Sequence, residues 1–149
     1  MYQFSKRSLS KLEGVHPDLV AVANRAIQLT KVDFGLTEGL RTVERQKKLV
    51  AAGKSQTMNS KHIEGKAVDT LVYIGKTHSW DLSLYDDVAD AFAAAGRELG
   101  VSLRWGAAWS VGDITKWNGT MEEAMLSYID LRRSQGRRPF IDGPHFELV

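Results

Sequence analysis

Apolar and polar residues follow two periods along this chain, and each change of period marks an element. Residues 1–15 show neither period and read as a short, partly ordered lead-in. After them Leu19, Val22, Ala23, Ala26 and Ile27 recur at helical spacing, which gives one apolar face. Pro17, favoured at a first helical position, and Asp18 in the first turn set the start of that helix. Residues 32–36 alternate as a half-buried strand does. A second helix is predicted over 43–52, with Gly53 as its stop, and 53–61 is a polar loop. Residues 67–74 return to period two, with Val68, Thr70, Val72 and Ile74 on one side and Ala67, Asp69, Leu71 and Tyr73 on the other.

Residues 75–81 read as a loop carrying a solvent-facing His78. Ser83 with Asp86 has the form of a capping box, opening a helix over 84–99 with Leu84, Val88, Ala91, Phe92, Ala95 and Leu99 as its buried stripe and Gly100 at its end. A short strand over 101–105 leads into Gly106 and a loop holding Trp109 and Trp117. Thr120 with Glu123 forms a second capping box, opening a helix over 121–134 with a modest apolar face of Met125, Leu126 and Ile129. Arg132, Arg133, Arg137 and Arg138 crowd its end, where solvated basic side chains complement the helix dipole. Residues 110–139 therefore read as a helical insertion between two strands. In the last ten residues Gly143-Pro144 forces a tight change of direction. Beyond it His145 and Glu147 face one way while Phe146 and Leu148 face the other, so burying the latter pair would hold His145 rigidly.

With 149 residues, 43% of them hydrophobic and 26% charged, the chain suits one domain with its own core. A net charge of +2 is too small to point to nucleic acid. No apolar run approaches a membrane span, and residues 1–14 lack the apolar stretch of a secretory leader. The expectation is a chain soluble in a cytoplasm, without membrane insertion, that needs another protein to release it. Cysteine is absent, so any metal must be held by His, Asp or Glu.

That restriction gives weight to Asp69. A mid-strand carboxylate among apolar neighbours is costly unless a cation or several donors meet it. His62, just before the strand, and His145 complete a set of two nitrogens and one oxygen, enough to hold zinc with one position left for water. Asp142, three residues before His145, is placed to handle that water's proton. Arg41 lies at a strand-to-helix junction. It is either a surface arginine or a cleft cation that steadies a tetrahedral intermediate or a substrate carboxylate. There is no H-E-x-x-H helix, so spacing alone leaves both a metal site and two unrelated histidines open.

Ser60-x-His62-x-x-Gly65-x-Ala67-x-Asp69, with the later Asp142-Gly143-Pro144-His145, resembles the signature of the LAS-type zinc metallopeptidases, which cleave peptidoglycan stem peptides. Within that group, which includes the D-alanyl-D-alanine carboxypeptidases, the chain most resembles phage endolysins that are L-alanyl-D-glutamate endopeptidases. Glu38-Gly39-Leu40-Arg41-Thr42 and Leu103-Arg104-Trp105-Gly106 extend the resemblance over most of the chain, apart from the first residues and 110–139. It implies a small α+β domain, helices on a mostly antiparallel sheet, with one zinc in a cleft. It implies His62, Asp69 and His145 as ligands, Asp142 as catalytic base, Arg41 as the substrate-contacting, intermediate-stabilising cation, and Ser60 as a substrate or supporting hydrogen-bonding group. It further implies a monomer that leaves the host cytoplasm through a holin pore and acts on the cell wall. A D-Ala-D-Ala carboxypeptidase or dipeptidase, and a wall-binding module with a structural zinc, are the rival readings. Three departures stand out. Ala107-Ala108-Trp109 replaces a frequent Gly-Asp-Trp, Thr70 stands where leucine is frequent (a mild core change), and 110–139, longer than in the simplest relatives, is expected to wall the cleft.

Overall fold

The computed structural model describes the whole chain, Met1–Val149. Its centre is β2 (Ala67–Ile74), whose period-two pattern turns Val68, Thr70 and Val72 towards the core and Asp69 to the opposite face. Along one edge β2 pairs antiparallel with β1 (Phe34–Glu38), and the register shifts between Leu36 and Glu38. Its other edge is shared. The first half pairs with β5 (His145–Leu148) and the second half with β3 (Thr77–Ser79). β4 (Leu103–Trp105) joins β5, completing an antiparallel five-stranded sheet of order β1-β2-β5-β4 with β3 beside β2.

Helices cover one face of this sheet. α2 (Pro17–Leu29) packs on α4 (Leu82–Leu99), and both contribute to the core with Phe34, Val68, Leu103 and Trp105. Phe92 of α4 stacks flat on Phe146 of β5 at 4.0 Å, so the last strand is locked from its core side as the alternation of Phe146 and Leu148 required. α3 (Val43–Ala51) and the loop after it share a cleft with Asp69 through Leu49 and loop residues between 54 and 61, and α5 (Met121–Ser134) packs against α4.

Several elements differ from the sequence reading, each for a local reason. The lead-in contains α1 (Lys6–Ser10), capped by Ser5. It is held because Ser8 Oγ accepts from the Leu36 amide at 3.0 Å and Phe4 meets Phe34 edge-on. His78 is exposed as expected but lies on β3, a short strand that no apolar alternation announces. α4 is capped by Asp81, whose Oδ1 accepts from the Ser83 amide, and Ser83 is not the cap. The helix is wedged between α2 and the sheet, so its buried stripe widens to Tyr85, Ala89, Ala93 and Gly96, while Leu84 is half-buried and Leu99 exposed. In α5 the Thr120–Glu123 capping box forms. Its inward face is Met121, Ala124, Met125 and Tyr128, with Leu126 in solvent.

Asp86, freed from any capping role, is buried on α4. Burial, and then the charges of Asp87, Glu122 and Asp90, push its carboxyl up to about 6. An acid with a raised pKa in the fold loses stability as pH climbs from its unfolded value near ~4 to about 6. Asp86→Asn should therefore stabilise the protein at pH 7 by about 1 kcal/mol after allowing for solvent screening. The gain should vanish below pH ~4, where both states are protonated. Urea melts at the two pH values test this; an equal gain at both would show that charge is not the cause.

Candidate metal centre

Three tight backbone arrangements bring the site together. First, the turn after the polar loop is closed by Ser60 Oγ accepting from the His62 amide at 3.2 Å, and the His62 carbonyl accepts from the Arg41 amide at 2.9 Å. Gly65 ends that turn with a φ of +69° against the Gly14 carbonyl, a place no side chain fits. Second, the β2–β5 register sets Asp69 directly opposite His145. Third, the Asp142–His145 turn is seated on Gly106, whose amide donates to the His145 carbonyl and whose carbonyl accepts from the Asp142 amide. A Cβ at Gly106 would collide with the Asp142 carbonyl oxygen. Thr70 adds a fourth tie, its amide and hydroxyl both donating to the Pro144 carbonyl. The threonine is thus a device of the turn rather than a mild core change.

These arrangements point two imidazoles at one carboxylate oxygen. Asp69 Oδ1 lies 3.2 Å from His62 Nε2 and 3.2 Å from His145 Nδ1, and the rings are 5.1 Å apart. The three donor atoms all fall within 4.8 Å of one another. Each ring has its far nitrogen engaged: His62 Nδ1 meets the Gly39 carbonyl at 2.8 Å, and His145 Nε2 meets Glu147 Oε1 at 2.8 Å. Acceptors there draw the N–H outward and aim the other nitrogen's lone pair at Asp69, the supporting arrangement usual for metal-bound histidine. His62 Nε2, although near Asp69, is out of line for a hydrogen bond and is buried without a partner. Lone pairs converging in a buried place need a cation. The residues therefore fit a divalent metal ion, and His62, Asp69 and His145 are the ones that could hold it.

Without that cation the cluster compensates with protons. Burial disfavours a charged His145, but hydrogen bonds to Asp69 and Glu147 outweigh it and raise the imidazole to about 9. Burial likewise opposes ionisation of Asp69, yet the hydrogen bond with His145 and the close approach of the His62 ring hold its carboxyl well below the usual range. Asp142 moves the other way, raised by burial and then by the nearby Asp69 charge.

The cleft holding these groups encloses about 770 Å³. Ser60 and Asp142 both line it, as does Arg41. Arg41 is buried and committed: its guanidinium forks onto Glu38 at 2.7 and 2.8 Å, donates to Gln46 Oε1 at 2.7 Å and reaches Asp69 Oδ2 at 3.5 Å. No residue of 110–139 lines the cleft. That segment instead lies against α4 through α5, and the cleft is lined by residues of the 54–61 loop together with Arg104, Trp109 and Phe140. Sequence reasoning missed Glu38, Gln46 and Glu147 as working parts. Glu147 had a signal, since period two puts it on the face of His145; the buried Gln46, which bonds Arg41, Ser55 and Thr57, had none.

Fold and site together define a small antiparallel α+β domain with a two-histidine, one-carboxylate donor set at the floor of a cleft. A family profile described as phage L-alanyl-D-glutamate peptidase matches residues 1–149. The chain belongs to that family. It is 41% identical to the L-alanyl-D-glutamate peptidase of Escherichia phage T5, covering 99% of this chain and 98% of that one. A peptidase of the same name from Listeria phage A118 is 32% identical over 73% of this chain and 38% of its own length. The crystal structure of the Serratia marcescens L-Ala D-Glu endopeptidase ChiX superposes with a TM-score of 0.73 at 34% identity, covering 99% of this chain and 90% of that one.

A metal ion entering the cluster must displace the proton on His145. Affinity for Zn²⁺ should therefore climb with pH up to about 9 and fall by as much as ~10-fold per pH unit below it. Calorimetric titration of the metal-free protein in buffers of different ionisation enthalpy should register the released proton. A flat affinity from pH 9 to 6.5 would refute the assignment.

Proposed function

We propose that this protein is a zinc-dependent endopeptidase that hydrolyses the L-Ala–D-Glu bond of peptidoglycan stem peptides and acts as a phage endolysin. The observation that carries the reading is the orphaned His62 Nε2 beside Asp69 and His145, in a chain whose full length matches the peptidase family. The chemistry that zinc supplies when bound there is Lewis acidity, which polarises a carbonyl and eases deprotonation of water.

The chain's own residues do the rest. Gly39 and Glu147 fix the tautomers of the two imidazoles, and Arg41 holds Asp69 from its second oxygen. Asp142, which bonds no protein side chain and has a raised carboxyl pKa, is the base. It takes a proton from the attacking water and delivers it to the departing D-Glu amine, so that amide and water become carboxylate and amine. Arg41 makes four hydrogen bonds to protein and has five N–H groups, so one remains to meet the oxyanion as the carbonyl becomes tetrahedral. Ser60, on the cleft wall with its hydroxyl hydrogen free, is assigned to the substrate backbone. All these groups come from one chain, consistent with action as a monomer. No helix is long and apolar enough to cross a membrane, so passage to the wall is assigned to a holin.

Digestion of purified peptidoglycan by the zinc-loaded protein should create new amino termini on D-glutamate. Released D-alanine in their place would identify a carboxypeptidase. Asp142→Ala should keep metal and fold but lose roughly 10²–10⁴ in rate, the usual contribution of a general base. His62→Ala should lose metal and activity together. Full lysis by Asp142→Ala would remove Asp142 from the mechanism.

A further inference from the structure

We infer that Arg104 is the cleft's substrate carboxylate receptor and sets a preference for a free α-carboxylate on the D-Glu residue. This rests on the peptidase reading above and deepens it. Four basic side chains line the cleft, Arg41, Lys54, Lys61 and Arg104. Arg41 is already neutralised by its fork onto Glu38, while the exposed Lys54 and the half-buried Lys61 offer single ammonium heads without a planar fork.

Arg104 differs from all three. It projects from β4, opposite Glu147 in the register, on the sheet face that carries His145. Yet it forms no ion pair, because Glu147 is spent on His145. Its guanidinium is held in place from the side: the Nη2 group donates to the Trp109 carbonyl, and the planar head lies 5.2 Å from the Trp109 ring centre. The Nε–H is buried with no acceptor, and the indole N–H of Trp109 is buried and unpartnered as well. The Nη1 amino group makes no hydrogen bond to protein and is not buried, so a guanidinium fixed in plane on the cleft wall keeps an open donor that suits a carboxylate.

The location selects which carboxylate. Trp109 lies against the His145 ring at 5.6 Å, so Arg104 stands one aromatic ring away from the donor set. In a stem peptide the chain continues from D-Glu through its side-chain carboxyl. The α-carboxylate is therefore left free, attached to the carbon that bears the scissile nitrogen. It is the anion nearest the bond to be cut.

The test compares two peptides, L-Ala–γ-D-Glu–L-Lys and the same peptide with the α-carboxylate converted to carboxamide, in zinc-loaded wild type, Arg104→Gln and Arg104→Lys. Wild type should prefer the acid by roughly tenfold to a hundredfold in kcat/KM, the range of a charge-assisted hydrogen bond. Arg104→Gln should bring the ratio close to one, chiefly through KM. Arg104→Lys, which keeps the charge but not the fork, should fall between, and it decides the matter if thermal melts show Arg104→Gln unfolded. Equal cleavage of both peptides by wild type, or a wild-type ratio in a folded variant, overturns the proposal while leaving the peptidase reading intact. Cleavage of neither peptide by wild type removes that reading, and this one with it.

Discussion

A carboxylate placed in mid-strand has nowhere to go, and the architecture around Asp69 follows from that. Its Cα is fixed by pairing on both sides, with β1 along one edge and β5 along the other. Its side chain must therefore find compensation where the pleat points it. Two imidazoles and a guanidinium supply it from three separate segments, the 60–65 turn, β5 and the β1–α3 junction. Stripping one partner from such a buried charge typically costs about 3–5 kcal/mol, so the cluster binds these segments together while it defines the site. The arrangement is only half satisfied by protons, because His62 Nε2 finds no acceptor or donor in line. The groups that hold these segments together are thus the same ones that could hold a metal ion.

The pleat separates the duties of β4 and β5. Leu103, Trp105, Phe146 and Leu148 face the helices, whereas Arg104, His145 and Glu147 face the cleft. A slip of one residue in the β2–β5 pairing would exchange the two sets and bury the imidazole among α4 side chains. The register is pinned at the turn, by Thr70 on the Pro144 carbonyl and by the Trp105 indole donating to the Gly143 carbonyl at 2.7 Å. Asp142 and His145 take their spacing from that same turn. Gly106 makes the seat possible because any side chain there would overlap the Asp142 carbonyl.

What could be read from the sequence followed the range of the interaction involved. Period-two alternation set Asp69 on the side of β2 away from Val68 and Val72 and set His145 opposite the core-bound Phe146, and the Thr120–Glu123 box located α5, because both are short-range patterns. The cap of α4 was misread because Asp81 and Ser83 are both good capping residues, and only the path of the chain from β3 decides between them. The partners of Arg41 were hidden for a different reason. Glu38 is three residues away and Gln46 five, but their meeting depends on the bend between β1 and α3, which no periodicity records. The role given to 110–139 failed on the same ground: being next to Asp142 in sequence does not make a segment its neighbour across the cleft. The resemblance to the LAS-type peptidases located the donor set because its motif spans both ends of the chain, a distance over which local pattern has no force.

The two cleft arginines illustrate how position in a network divides one chemistry into two tasks. Arg41 and Arg104 carry the same group and line the same cavity. Arg41 sits where a carboxylate pair, Glu38 and Asp69, already claims it, so its charge is balanced and its geometry fixed. Such a residue orients others and has little net field to offer a distant anion. Arg104 is held by a carbonyl and an aromatic face, contacts that fix its plane without neutralising it. Glu147 completes the division, because by engaging His145 it both turns Nδ1 towards Asp69 and leaves its cross-strand arginine uncompensated. One carboxylate thereby links the donor set to the wall of the cleft, and the alternation of a four-residue strand is enough to place all three.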